Sequence, residues 1–325
     1  MQAMRLLITG ITGFVGSHLA EYALTQGAAV VGSQRWRSPT EHVEHLRDRL
    51  SLLATDLRDA GATRALVVAA RPDAVVHLAA QSFVAASWTA PAETIATNTL
   101  CQINLLEALR ELAPAARVVV AGSSEEYGQV EPDELPIREE NPLRPLSPYA
   151  VSKVAQDLLG YQYFKSYALP IVRARAFNHT GPRRGSHFAT SSFARQIAEI
   201  EAGQRAPIVE VGDLKPTRDF SDVRDVVRGY WLLLERGTPG EVYNLCSGRD
   251  WCMEQVLHVL LGHAKVAGIE VRVDPARLRP SDVPVLRGSA EKIAKATGWR
   301  THIPFDQTLA DLLEYWRQRI SARSR

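Results

Sequence analysis

The chain has 325 residues, 46% apolar and 23% charged, the proportions of a globular protein with enough length for one large domain or two modest ones. Its 38 basic and 36 acidic side chains are interspersed and leave a formal charge of +2, without the one-sign block that would mark a nucleic-acid partner. Cys101, Cys246 and Cys252 form no metal-type pair, which argues against a zinc site or disulfide framework and for a reducing, cytoplasmic setting. No stretch approaches the roughly 18 consecutive apolar residues of a membrane span, because RLLITGITGFVG is broken by three glycines and reads as folded structure.

Taken in order, MRLLITG (4–10), AAVVGS (28–33), LSLLATD (50–56), AVVHLAA (74–80), RVVVAGS (117–123) and PIVRARAF (170–177) each read as a short buried strand. Helical stretches such as HLAEYALTQG (18–27) and TNTLCQINLLEALRELA (97–113) lie between them. That alternation predicts an α/β fold with a doubly wound parallel sheet of the Rossmann type. After Phe177 the sequence reads as loop-rich, with prolines and arginines, and the earlier pattern returns in DVVRGYWLLLERG (225–237) and EVYNLCS (241–247). Residues 1–177, with a return segment at about 220–248, are expected to form a nucleotide-binding domain. Residues 178–325 are expected to form a smaller, interleaved C-terminal α/β substrate domain.

GITGFVG (10–16) follows the first strand and opens a helix. Gly10, Gly13 and Gly16 permit a tight turn there and a close backbone approach to a pyrophosphate, with Thr12, Phe14 and Val15 between them. At the end of the second strand an NAD site would carry an acidic residue for the ribose 2′-hydroxyl, but VVGSQRWRS supplies Ser33, Arg35 and Arg37. Charge of that sign favours a 2′-phosphate, hence NADP(H). Asp56 and Leu57 are expected at the adenine edge, and HLAAQ, with Leu78, Ala79, Ala80 and Gln81, beneath the pyrophosphate and nicotinamide ribose. His77, alone at a strand end, reads as a core residue and not a catalyst.

SPYAVSK (147–153) sets Tyr149 and Lys153 four apart on one face of a helix. A neighbouring ammonium and a nicotinamide cation are expected to favour the phenolate, drawing a group with a reference pKa of about 10 toward working pH. Ser123 and Ser124, at the end of RVVVAGS, place a hydroxyl where the oxygen of a reacting carbonyl would lie. His42 and His45 lack a third ligand at metal spacing and read as exposed helix residues, so no metal is expected.

GITGFVG, ATDL, HLAAQ, GSSEEYG, SPYAVSK, FNHTGP and TRDFSDVRD resemble, in the same order and over nearly the whole chain, the extended short-chain dehydrogenase/reductases that act on sugar nucleotides. GSSEEYG, RAFNHTGP, TRDFSDVRD and LRPSDVPVLRGS look like the GDP-4-keto-6-deoxymannose reductases; AAQSFVAASW, PRRG and QRWRSPTEHVEHL look more like the GDP-mannose 4,6-dehydratases. The resemblance implies Ser123, Tyr149 and Lys153 as the hydride-transfer triad. It places Glu125 where a dehydratase has the base that takes the sugar C5 proton. It also implies Asn178, Arg218 and Arg279 as contacts to a GDP-linked hexose, while Ser82 and Ser87 are candidates for sugar hydroxyls although loop serines more often serve as caps.

The expected activity is therefore NADP(H)-dependent reduction of a 4-keto-6-deoxyhexose carried by GDP, with the dehydratase as the alternative. A non-catalytic NADP(H) sensor is the reading of another class, and it leaves the triad without a purpose. By analogy with the family, a homodimer is expected through TNTLCQINLLEAL and YAVSKVAQDLLGYQYF.

Overall fold

The computed structural model describes residues 3–278 and 283–323. The chain begins with β1 (Arg5–Thr9), α1 (Phe14–Thr25), β2 (Ala29–Gln34), β3 (Leu50–Ala54), α2 (Ala60–Ala70), β4 (Ala74–His77), α3 (Val84–Thr89) and α4 (Pro91–Leu112). It continues through β5 (Arg117–Ser123), α5 (Pro148–Tyr167), β6 (Ile171–Ala176), β7 (Asn178–Thr180), α6 (Ala189–Glu201), β8 (Ile208–Val211), β9 (Thr217–Asp222), α7 (Val223–Arg236) and β10 (Val242–Leu245). The last elements are β11 (Asp250–Cys252), α8 (Met253–Gly262), β12 (Glu270–Val273), β13 (Val285–Leu286), α9 (Glu291–Thr297) and α10 (Phe305–Arg323).

Seven strands form one parallel sheet in the order β10-β6-β5-β4-β1-β2-β3. Both faces are covered. Leu6 and Ile8 of β1, with Val76, Val119 and Val172, face α1, α7 and Trp299. Leu7, Val75, Val118, Val120 and Ile171 face Leu66 of α2, Leu105 and Leu109 of α4, and Tyr163 of α5. A strand buried on both sides has no polar face to alternate with, which is why these segments read as unbroken apolar runs. Every strand expected from the first 177 residues is present, and the 225–247 segment adds α7 and β10 to the same sheet.

The segment after Phe177 corrects the expectation of loops. It contains α6, whose Phe193, Ile197 and Ile200 form a stripe against Leu257, Leu313 and Trp316. The ATSSF start hides that period, because Ser191 is buried and accepts a hydrogen bond from Trp316 Nε1 at 2.9 Å instead of facing water. A small sheet, β11-β9-β13 with β7 also on β9, and the β8–β12 pair complete this region. His42 and His45 also differ from expectation. Both precede or occupy a 3₁₀ turn over Glu44–Arg49; His42 is half-buried, and His45 is exposed but bonded to Glu21 at 2.5 Å. Cys101, Cys246 and Cys252 are free thiols, and among the described residues no helix is long and apolar enough to cross a membrane.

Trp299 is the largest fully buried side chain and closes the C-terminal end of the main core. Its Nε1 donates to Asp225 O at 2.8 Å, and an added Cβ at Gly229 would approach that nitrogen to 3.0 Å. Trp299→Ala is expected to cost about 3–5 kcal/mol, the range for emptying a large aromatic site. A lowered urea midpoint with unchanged slope would show it, and an unchanged midpoint would refute it.

Candidate active site

The strand order reverses between β1 and β4, whose following connections leave toward opposite faces of the sheet, and a cleft of about 660 Å³ opens at the carboxyl ends of the strands. Its walls come from the ends of six strands: Gly10 after β1, Arg35 after β2, Asp56 after β3, Leu78 to Gln81 after β4, Ser123 on β5 and Asn178 beyond β6.

One half of the cleft suits a dinucleotide. Gly10 has φ +70°, and a Cβ there would stand 3.1 Å from Ala79 Cα. A Cβ on Gly16 would run into the Gly10 carbonyl, so the helix start can approach the strand end only without side chains. Helix α1 begins at Phe14 with neither a side-chain cap nor an acidic residue in its first turn, leaving its amino end to an anion. Thr12, Gly13, Val15 and Leu57 also line this half. The floor is stiff: Thr9 Oγ1 accepts from Leu78 N and Ala79 N, both at 3.1 Å, and lies 2.9 Å from His77 Nδ1. Burial pushes His77 down to about 3, so its ring braces Thr9 as a neutral core residue. Asn98 binds Gln81 on one side and donates to Ser152 Oγ of α5 at 2.8 Å on the other.

At the outer end the two arginines part company. Arg35 lines the lip, exposed, whereas Arg37 lies outside the lining, exposed and with φ +64° after Trp36. Of the two, only Arg35 is among the residues that line the cleft. Asp56 is already engaged: Arg58, which sequence reading passed over, donates from Nη2 to Oδ2 at 2.7 Å and from Nε to Oδ1 at 3.0 Å. The Arg58 bonds hold the Asp56 carboxyl below its usual range. An arginine two residues past a strand-end aspartate was the available signal.

At the centre, Ser147 caps α5 by accepting from Ala150 N at 3.1 Å, and Pro148 occupies the first helical position, so the register brings Tyr149 and Lys153 to the cleft. The Ser123 hydroxyl is in hydrogen-bonding reach of the Tyr149 phenol. Lys153 Nζ donates to Ala121 O at 2.8 Å and stands 6.0 Å from the Tyr149 ring centre. Burial pushes Lys153 down to about 8. Burial raises the Tyr149 phenol, and the Ser123 hydrogen bond and the Arg184 charge oppose that rise. Glu125, half-buried, and Ser124, buried, complete this wall.

Opposite Tyr149, β7 and the loop after it bring in residues that sequence reading did not assign. Arg184 lies 3.4 Å from the Phe188 ring centre and 5.0 Å from that of Phe14, and burial pushes its guanidinium down to about 9. His179 stacks on Phe14 and lies 2.8 Å from Phe177 O through Nδ1; burial takes it down to about 4. The signal was PRRG, read above for its resemblance alone.

The other half of the cleft holds Asn178, Ser82 and the buried Arg218, whose Nη1 donates to Thr217 O at 2.9 Å and Val283 O at 2.6 Å. Ser87 is not in the lining. It is fully buried in α3 with Oγ donating to Val84 O at 2.7 Å, so it serves the helix and not a sugar. Arg279 lies outside the described residues.

The parallel sheet, the glycine cradle and the Ser–Tyr–Lys arrangement define an extended short-chain dehydrogenase/reductase fold. Over residues 7–312 the chain matches the family described as GDP-mannose 4,6 dehydratase, and it belongs to that family. It is 37% identical over 318 residues to a GDP-6-deoxy-D-mannose reductase of Pseudomonas aeruginosa, covering 97% of this chain and 98% of the relative. It is 32% identical over 326 residues to GDP-mannose 4,6 dehydratase 2 of Arabidopsis thaliana, covering 95% and 85%. A solved structure of RMD from Pseudomonas aeruginosa complexed with NADPH superposes with a TM-score of 0.84 at 35% identity, over 98% of this chain and 100% of that one.

Proposed function

We propose that the protein is an NADP(H)-dependent reductase acting at C4 of a GDP-linked 4-keto-6-deoxyhexose. The observation that carries this reading is the buried Tyr149 phenol, raised in pKa, within reach of Ser123 at the centre of a cleft whose other wall is a dinucleotide cradle. A phenol that stays protonated at neutral pH is a proton donor, which ketone reduction requires of it. The names of the reductase relative and of the NADPH complex supply the GDP-sugar and the cofactor.

The glycine cradle and first turn of α1 hold the diphosphate of the dinucleotide, Arg35 meets its 2′-phosphate, and Lys153 with Tyr149 orients the nicotinamide ribose. When bound, the reduced nicotinamide supplies hydride to C4. Ser123 holds the C4 oxygen by hydrogen bonding, and Tyr149 passes its proton to that oxygen as the carbonyl becomes a hydroxyl. Asn178, Arg218 and Ser82 carry the sugar nucleotide in the opposite half of the cleft, and Arg279 is proposed beside them. A second reading, GDP-mannose 4,6-dehydration, is favoured by Glu125, which stands in the lining near enough to Tyr149 to raise its pKa, as a base for C5.

We also propose a homodimer. Helices α4 and α5 pack side by side and expose Ile95, Leu100, Val151, Leu158 and Tyr161, apolar side chains that a second copy would cover. The three free thiols suit a reducing compartment, and the cytoplasm is the proposed location.

Arg35→Ala should weaken NADPH binding about tenfold, roughly 1.4 kcal/mol, with NADH little changed, while Arg37→Ala should leave both within about twofold. Fluorescence titration of both cofactors checks this, and equal losses for NADPH and NADH would sink the 2′-phosphate assignment. Glu125→Gln should leave NADPH-dependent reduction of the 4-keto sugar within about tenfold of wild type, at most about 1.4 kcal/mol in barrier. Turnover of GDP-mannose without added NADPH, abolished by the same substitution, would replace the reductase reading with the dehydratase. Leu158→Glu should shift the particle from dimer to monomer in light scattering at micromolar concentration. A wild-type protein that is already monomeric there refutes the dimer.

A further inference from the structure

Beneath the ends of β5 and β6, four charged side chains are packed out of water: Glu126, Asp157, Arg173 and Arg175. They touch neither half of the cleft. Glu126 stands three residues past Ser123, in the short turn that ends β5, and Asp157 one helical turn past Lys153 on α5. Arg175, on β6 between them, places Nε 3.0 Å from Glu126 Oε2 and 3.0 Å from Asp157 Oδ2. The second oxygen of each carboxylate is also used: Glu126 Oε1 accepts from Ser123 N at 2.7 Å, and Asp157 Oδ1 from Arg173 Nη1 at 2.6 Å. On its far side Arg175 Nη1 donates to Tyr127 Oη at 3.0 Å and Glu139 O at 3.2 Å, which fixes the plane of the guanidinium.

Room for this arrangement is made in the backbone. A Cβ on Gly122 would stand 2.5 Å from Glu126 Oε1, so a side chain at position 122 would require the carboxylate to shift from its place against Ser123 N. Burying ionisable groups costs several kcal/mol for each one that stays charged, before pairing, and apolar residues of the same volume would hold β5, β6 and α5 together at least as well. What apolar packing lacks is direction. The chain Ser123 N to Glu126 to Arg175 to Asp157 runs from the residue that carries one reacting hydroxyl to the helix that carries the other.

We propose that Arg175 is a positioning residue: by tying Glu126 to Asp157 it locks the end of β5 to α5 and so sets the Ser123 hydroxyl against the Tyr149 phenol. This rests on the hydride-transfer reading of those two groups, in which misplacement by about 1 Å can cost about 10²-fold in rate.

The test is a pair of substitutions measured with and without Ser123→Ala. Arg175→Met should lower kcat about 10- to 100-fold while KM and NADPH affinity stay within about threefold. In the Ser123→Ala background the same change should cost less than about a further twofold, because its effect passes through a hydroxyl already gone. Gly122→Ala, which displaces the Glu126 carboxylate without removing a charge, should show the same non-additivity, and it decides alone if Arg175→Met yields no folded protein. Losses that multiply in full in the Ser123→Ala background, or a wild-type kcat in either folded variant, overturn the proposal. Ser123 and Tyr149 serve hydride transfer in reduction and dehydration alike, so the assay uses whichever sugar nucleotide the wild type converts. A wild type inert on the 4-keto sugar overturns the reductase reading and leaves this comparison standing, and one inert on both substrates overturns both.

Discussion

Everything in the site depends on the crowding at the carboxyl end of β1. There the chain must turn from strand to helix while the neighbouring connection, after β4, leaves toward the other face, and the two turns share one small volume. Gly10 and Gly16 let the turn close with no side chain inside it, and Thr9 ties Leu78 and Ala79 to the same point through one hydroxyl. The outcome is a helix end with uncapped amides aimed into a crevice, the arrangement that binds a diphosphate by backbone alone.

Desolvation then sets the protonation states around that crevice. Burial raises Tyr149 and lowers Lys153, His77 and His179, so each group is moved toward its neutral form. Glu126, just beneath, moves the same way and is pushed up to about 8 by burial, with Asp157 adding to the rise. Tyr149 and Glu126 thereby hold their protons more tightly, whereas Lys153, His77 and His179 give theirs up more readily. Arg184, a guanidinium between two aromatic rings, is lowered too, to about 9, and keeps its positive charge at neutral pH.

The same centre serves two chemistries within one family. In the proposed function Ser123, Tyr149 and Lys153 would act in either, and the difference would fall on whether a carboxylate at Glu125 is used. Family membership therefore narrows the reaction to a pair, and the choice within the pair rests on proton inventory: one donor suffices for reduction, whereas elimination needs a base as well.

The sequence by itself determined the sheet, the glycine cradle and the Tyr149–Lys153 face, because each is local: apolar runs of strand length, a fixed glycine spacing, and an i, i+4 pair behind a Ser-Pro helix start. Only tertiary structure decided what depends on distance in space. It put Arg35 but not Arg37 in the cleft lining, engaged Asp56 with Arg58, withdrew Ser87 into α3, and brought Arg184 across from the loop after β7. It also set how deeply Tyr149 is buried, and the pKa of a phenol answers to how much water surrounds it. Helix α6 was hidden for the same reason: its Ser191 meets a partner helix more than a hundred residues away, and polarity in sequence says nothing of burial until that partner is in place.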